Sequence, residues 1–289
     1  MADHILSELF RNNAHFQKYA PGYDTSDNFD NYNANAMSVK KEINDLITLA
    51  NWDAIKVAED SDELEALRLA VANKTLYKYA IFRIVSDRKS ERGDTYKYEF
   101  ETMRRQYIDN YHSAMSTLLP IIASEGSAYN WADTPIAKMM DGLQILDVEH
   151  FQRNYYIDTS FLYFVRTIPI QRNLLLTTYK AYYEKLKDKD RDDLREKLDM
   201  ALVYNIVSVS LRQFDLIEFP PTMHSYFDDN KLGRNGKDER NRSEKLADKF
   251  LEDANSMLGN IDLALTDQSG DSSVGLNINK EGRKFYFFG

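Results

Sequence analysis

Residues 96–122 read Tyr96-Lys-Tyr-Glu-Phe100-Glu-Thr-Met103-Arg-Arg-Gln-Tyr107-Ile-Asp-Asn-Tyr111-His-Ser-Ala-Met115-Ser-Thr-Leu118-Leu-Pro-Ile-Ile122. Tyr96, Phe100, Met103, Tyr107, Tyr111, Met115, Leu118 and Ile122 follow one another at steps of three and four. That spacing lays one apolar stripe along a helix; a strand would need strict alternation. Pro120 is expected to kink or end it, because proline lacks an N–H and crowds the preceding turn.

The same period recurs on both sides. A helix is expected near 35–50, with Met37, Ile43, Leu46, Ile47 and Leu49 as its apolar side. Asp60-Ser-Asp-Glu63 has the form of a capping box and opens a helix through Leu64, Leu67, Val71, Leu76 and Ile81 to about Val85. A shorter helix is expected from Ile136 to Leu146. Asp158-Thr-Ser160 can cap another from Phe161 to Ile168, which Pro169 interrupts before the pattern resumes from Ile170 to Leu186. Leu194, Leu198, Ala201, Leu202, Ile206, Val209 and Leu211 mark a further helix, and the last covers about Arg242 to Leu265. The fold class is therefore all-α, a helical bundle with an extended N-terminal arm and an extended C-terminal tail. The expected organisation is 1–34 arm, 35–218 helical body, 219–241 polar and basic loop, 242–265 C-terminal helix and 266–289 tail.

The tail carries the most unusual composition. Asp267-Gln-Ser-Gly-Asp-Ser-Ser273 is linker-like, Val274, Leu276 and Ile278 alternate at strand spacing, and Phe285, Tyr286, Phe287 and Phe288 are consecutive aromatics. Burying one such ring is worth roughly 1.5–3 kcal/mol, so these residues are expected to dock, either on a partner or back on their own body. On a partner, Val274, Leu276 and Ile278 could add a strand to a sheet edge, with the aromatics as anchors. The chain also holds 19 tyrosines and 15 phenylalanines. Aromatic rings with a polar tip are enriched at protein contacts, although compositional bias gives the same count.

Charge narrows the classes further. The net charge of −9 opposes wholesale nucleic-acid binding, and the absence of cysteine excludes disulfides, thiolate metal sites and thiol catalysis. No cofactor is expected. The N-terminus lacks the basic and apolar regions of a secretory signal, no run approaches the length of a membrane span, and a cytoplasmic product is expected. One locally basic stretch stands out: residues 231–249 hold seven cations against four carboxylates. Lys231, Arg234, Lys237, Arg240 and Arg242 are its candidate contacts to a polyanion or an acidic partner.

Several catalytic patterns are present only in part. Asp109-Asn-Tyr-His112 and Asp147-Val-Glu-His150 resemble half of a di-iron bundle motif. At about 100° per residue the first places its carboxylate near 220° on a helix whose apolar stripe centres near 40°, which points it to solvent. Ser86-Asp-Arg-Lys89 has the spacing of a serine acyl-enzyme pair in a charged setting without its companion motifs. Gly233-Arg-Asn-Gly236-Lys237 lacks the earlier glycine and the following Ser or Thr of a phosphate loop. No catalytic or metal-binding residue is assigned, and the chain is expected not to be an enzyme.

In the order of its parts the chain resembles the head-to-tail adaptor (connector ring) proteins of tailed bacteriophages, including crAss-like phages. The resemblance rests on the N-terminal arm, the long helices Tyr96–Leu119 and Leu194–Gln213, the Phe219-Pro-Pro221 break, the polar loop, and the tethered Phe285-Tyr-Phe-Phe288 tail. It implies a virion structural protein forming a homo-oligomeric ring, twelve-fold in the family. Its partners would be a portal protein and tail or neck proteins, with DNA as transient cargo in the lumen, no membrane contact, and assembly from host cytoplasm into the virion. A non-viral helical scaffold and an all-α enzyme with a pocket built by tertiary packing remain the alternatives.

Overall fold

The computed structural model describes residues 5–23, 25, 28–89, 97–187, 190–215, 219–225 and 236–268. In chain order its helices are α1 (Ile5–Leu9), α2 (Asn13–Tyr19), α3 (Asn33–Ile47), α4 (Leu49–Ile55), α5 (Asp62–Lys89), α6 (Lys97–Ala123), α7 (Pro135–Met140), α8 (Val148–Asn154), α9 (Phe161–Leu174), α10 (Lys180–Leu186), α11 (Asp192–Gln213), α12 (Pro221–Ser225) and α13 (Gly236–Gln268). Short 3-10 turns at Phe29–Tyr32 and Trp131–Asp133, and a π-helical turn at Leu175–Tyr179, complete the regular structure. Among the described residues there is no strand, so the body is all-α.

Two long helix pairs organise the body: α5 packs along α6, and α11 along α13. Helix α9 lies between them and touches both α6 and α11. Its sequence fits that position, because Leu162, Tyr163, Phe164, Val165, Ile168 and Ile170 are buried on several sides of the helix, and a helix apolar most of the way round belongs inside. Pro169 does not interrupt α9. A mid-helix proline costs about 3 kcal/mol, less than the burial of its apolar neighbours supplies. Pro120 likewise sits in the last turn of α6, which continues to Ala123.

The seam between α11 and α13 is built from small residues. Ser208, Ser243, Ala247 and Ala254 are all fully buried, so the two backbones approach closely. Ser208 Oγ donates to the Ala247 carbonyl at 2.7 Å, and Ser243 Oγ to the Leu211 carbonyl at 3.0 Å. This stripe carries α13 six residues nearer the N-terminus than expected: Gly236 to Asn241 are helical, not loop.

The N-terminal segment differs from expectation in kind. It is not an arm laid over the surface, since Leu6, Leu9, Phe10, Phe16, Ala20 and Tyr23 are all buried in the common core. Arg68 Nε donates to the Leu9 carbonyl at 3.0 Å, Asn73 Nδ2 to the Tyr19 carbonyl at 2.9 Å, and Asn110 Nδ2 to Asn73 Oδ1 at 3.0 Å. Gly22 passes directly over the Tyr107 hydroxyl, where a Cβ would collide with it.

Several boundaries shift for local reasons. The helix expected at 35–50 is broken at Thr48, whose φ of 73° lies where L-residues are strained, and whose side chain caps α4 by accepting from Asn51 N. Ser61, rather than Asp60, accepts from Leu64 N at 3.1 Å and starts α5. Thr134 caps α7 with Pro135 in its first turn, and α7 stops at Met140 instead of reaching Leu146. Ser160 caps α9, as the Asp-Thr-Ser signal suggests. The carboxylate of Asp158 instead accepts from Thr222 N at 2.8 Å and from the Thr222 hydroxyl at 2.6 Å, tying the Pro-Pro break to the body.

Candidate functional site

The sequence-predicted contact residues contribute little to any described site. Val274, Leu276, Ile278, Phe285, Tyr286, Phe287 and Phe288 lie outside the described residues, as do Lys231 and Arg234. Lys237 falls in the first turn of α13, and its side chain is outside the description. Arg240 donates to the Arg212 carbonyl at 2.5 Å and pairs with Glu244 at 3.4 Å, which anchors α13 to the end of α11. Arg242 is exposed.

The two Asp-x-x-His pairs resolve into separate roles. Asp147 is the N-cap of α8 and accepts from His150 N at 2.7 Å, a local reason for the spacing. Asp109 is half-buried instead of standing in solvent. Burial pushes its carboxyl up, against the opposing pull of Arg105. Among the described residues no group of three His, Cys, Asp or Glu side chains could hold a metal ion. Ser86 and Lys89 lie in the last turn of α5, with side chains outside the description.

Two concavities flank the α10–α11 region. The first is a groove of about 510 Å³ between the connector after α7, the π-helical turn and α10. Gln171 on α9, fully buried, sets one wall. Its Oε1 accepts from Gln144 N at 3.1 Å and Ile145 N at 2.9 Å, and its Nε2 donates to the Ile145 carbonyl at 3.1 Å. One amide side chain thereby satisfies three backbone groups of a segment that has no helix of its own.

The π-helical turn supplies the opposite wall. Its extra residue turns Leu176 outward, leaving it 70% exposed beside Leu175, which is buried. Turns of this kind are rare and cluster at functional sites. Tyr179, at its end, donates to the Ala201 carbonyl at 2.9 Å, and burial pushes its phenol up to about 12.

The second concavity, of about 550 Å³, opens between α8, α11 and α13 and is lined by His150, Asp193, Glu196, Asp199, Met200 and Met257 among others. Asp199 joins the two. Its Oδ1 accepts from the Tyr183 hydroxyl at 2.6 Å, and its Oδ2 lies 3.0 Å from His150 Nε2. Burial raises the Tyr183 phenol, and the negative charge of Asp199 raises it further. A carboxylate only accepts, so this geometry puts a proton on His150 Nε2. Such an array holds an imidazole in one orientation. The described lining of this concavity includes no serine, threonine or cysteine that could act as a nucleophile.

Sequence reasoning missed both features. Leu176 was the available signal for the groove, as an apolar residue off the stripe of Leu174, Leu175, Tyr179 and Tyr183. The pairing of His150 with Asp199 has no local trace, since it joins residues 49 apart. No protein-family model, curated protein or solved structure matches this chain.

Proposed function

We propose that the chain is a structural subunit that works by assembly, and within that class a head–tail adaptor of a tailed bacteriophage. It would form a ring between portal and tail through which DNA passes. A ring subunit buries two different side surfaces against identical neighbours, a head-to-tail contact closed by rotation. A self-sufficient all-α body is a suitable platform for this, and the chain's net charge of −9 suits a lumen that must conduct DNA without retaining it.

One observation carries the reading. Helix α13 ends at Gln268 with Leu263 66% exposed near its end, and the sequence then continues into strand-spaced Val274, Leu276 and Ile278 and the aromatics Phe285 to Phe288. A segment of that composition, following a body that already has its own core, is suited to a site on another subunit.

Size-exclusion chromatography with light scattering on the full chain and on a form lacking residues 270–289 tests this. The full chain should assemble as its concentration rises, while the shortened form stays monomeric with the same helical circular dichroism. A full chain that remains monomeric throughout refutes the ring, and assembly unchanged by the deletion refutes the role of the tail.

A further inference from the structure

We propose that the groove between α9, the π-helical turn and α10 is a binding site for a small anionic amphiphile, a carboxylate or sulfonate on an aryl or alkyl body. The inference stands apart from the assembly reading, since it rests on the charge and shape of one face of the body.

The floor is apolar. Leu143, Leu175 and Tyr183 are buried beneath it, and Leu176 projects into it at 70% exposure. A leucine this exposed could be one of the isolated apolar side chains that every surface carries. Here it sits in a concavity, on an irregular turn that a regular helix would not need. The volume of about 510 Å³ falls within the range of about 300–1,000 Å³ usual for small-molecule sites.

The rim has the opposite sign from the chain as a whole. Arg172, Lys180, Lys187 and Arg195 stand around the groove against Asp141 and Glu184, an excess of two cations on a chain of net charge −9. Arg172 spends one N–H on the Met139 carbonyl at 3.4 Å, and Arg195 one on the Leu186 carbonyl at 3.5 Å, which leaves further guanidinium donors on each. Lys180 stands 3.8 Å from Glu184, an exposed and weak pair that an anion could displace. An apolar body on Leu176 with an acid group toward Lys187 and Arg195 matches both surfaces. The chain's own residues 280–288 fit poorly, because Lys280, Arg283 and Lys284 against Glu281 make that stretch cationic.

The test uses the full chain and 1-anilinonaphthalene-8-sulfonate, a fluorescent anion of this class. Wild type should bind it saturably at one site, and decanoate should displace it while decyltrimethylammonium does not. Leu176→Asp and the Lys180→Glu/Lys187→Glu pair alter exposed side chains, so circular dichroism should be unchanged while affinity falls about tenfold or more in each. Binding should also weaken with added salt. The proposal is overturned if binding is not saturable, if either variant binds as wild type does, or if the cationic amphiphile competes equally. It is also overturned if the number of sites per chain falls as protein concentration rises, since a second copy would then be the occupant.

Discussion

At the scale of single residues, the tightest constraint is the crossing of Gly22 over Tyr107. A methyl at position 22 collides with the phenol oxygen, and Tyr107 is itself buried. Gly22→Ala should therefore cost about 1–3 kcal/mol in urea unfolding, and Tyr107→Phe in the same chain should recover part of it, because it removes the colliding atom. Non-additivity between the two substitutions is the measurement. Nothing in Pro21-Gly22-Tyr23 announces this contact; the tripeptide reads as a turn, and a turn is what sequence alone predicts. Ser160 was more legible, because a cap satisfies backbone groups two or three residues away and so leaves its mark in the local sequence. His150 and Asp199 were not, because their partnership depends on how α8 lies against α11.

Helices with a sustained stripe were readable at the scale of elements. The period over 96–122 marks α6, which runs on past Pro120 to Ala123 instead of ending there, and α11 follows from the same pattern. Short helices were harder to place, because the segment before residue 35 was expected to be an arm outside the core. Ile5, Leu6, Leu9 and Phe10 do mark an amphipathic pattern over α1, but at five and seven residues α1 and α2 owe their burial to packing on α3 and α5 rather than to propensity. The connector after α7 escaped, since its order is imposed by one distant amide. Replacing Gln171 with alanine strips that support from Gln144 N, Ile145 N and the Ile145 carbonyl. We expect a loss of about 2–4 kcal/mol of stability, with amide exchange accelerated first at Gln144 and Ile145. An unchanged exchange rate at those two amides would show that the connector is held by something else.

For the whole molecule, buried phenols set the alkaline limit of the fold. Burial raises Tyr163, Tyr179 and Tyr183 above the ordinary phenol value of 10.0, Tyr179 to about 12. Each folded phenol keeps its proton where the unfolded one has lost it. Their stabilisation is thus complete below pH 10 and drains away as pH rises through the folded values. The urea midpoint should fall steeply between pH 10 and 12, and Tyr179→Phe, though less stable at pH 8 for want of its bond to the Ala201 carbonyl, should show a shallower fall. Equal slopes would place the titration elsewhere. The all-α class of the molecule was legible throughout, because several long helices repeat one period. The inward packing of residues 5–23 was not, and it bears on how the polypeptide is made. Those residues leave the ribosome well before Arg68, Asn73 and Tyr107, against which they rest. That segment must wait, unburied, until α5 and α6 have emerged behind it.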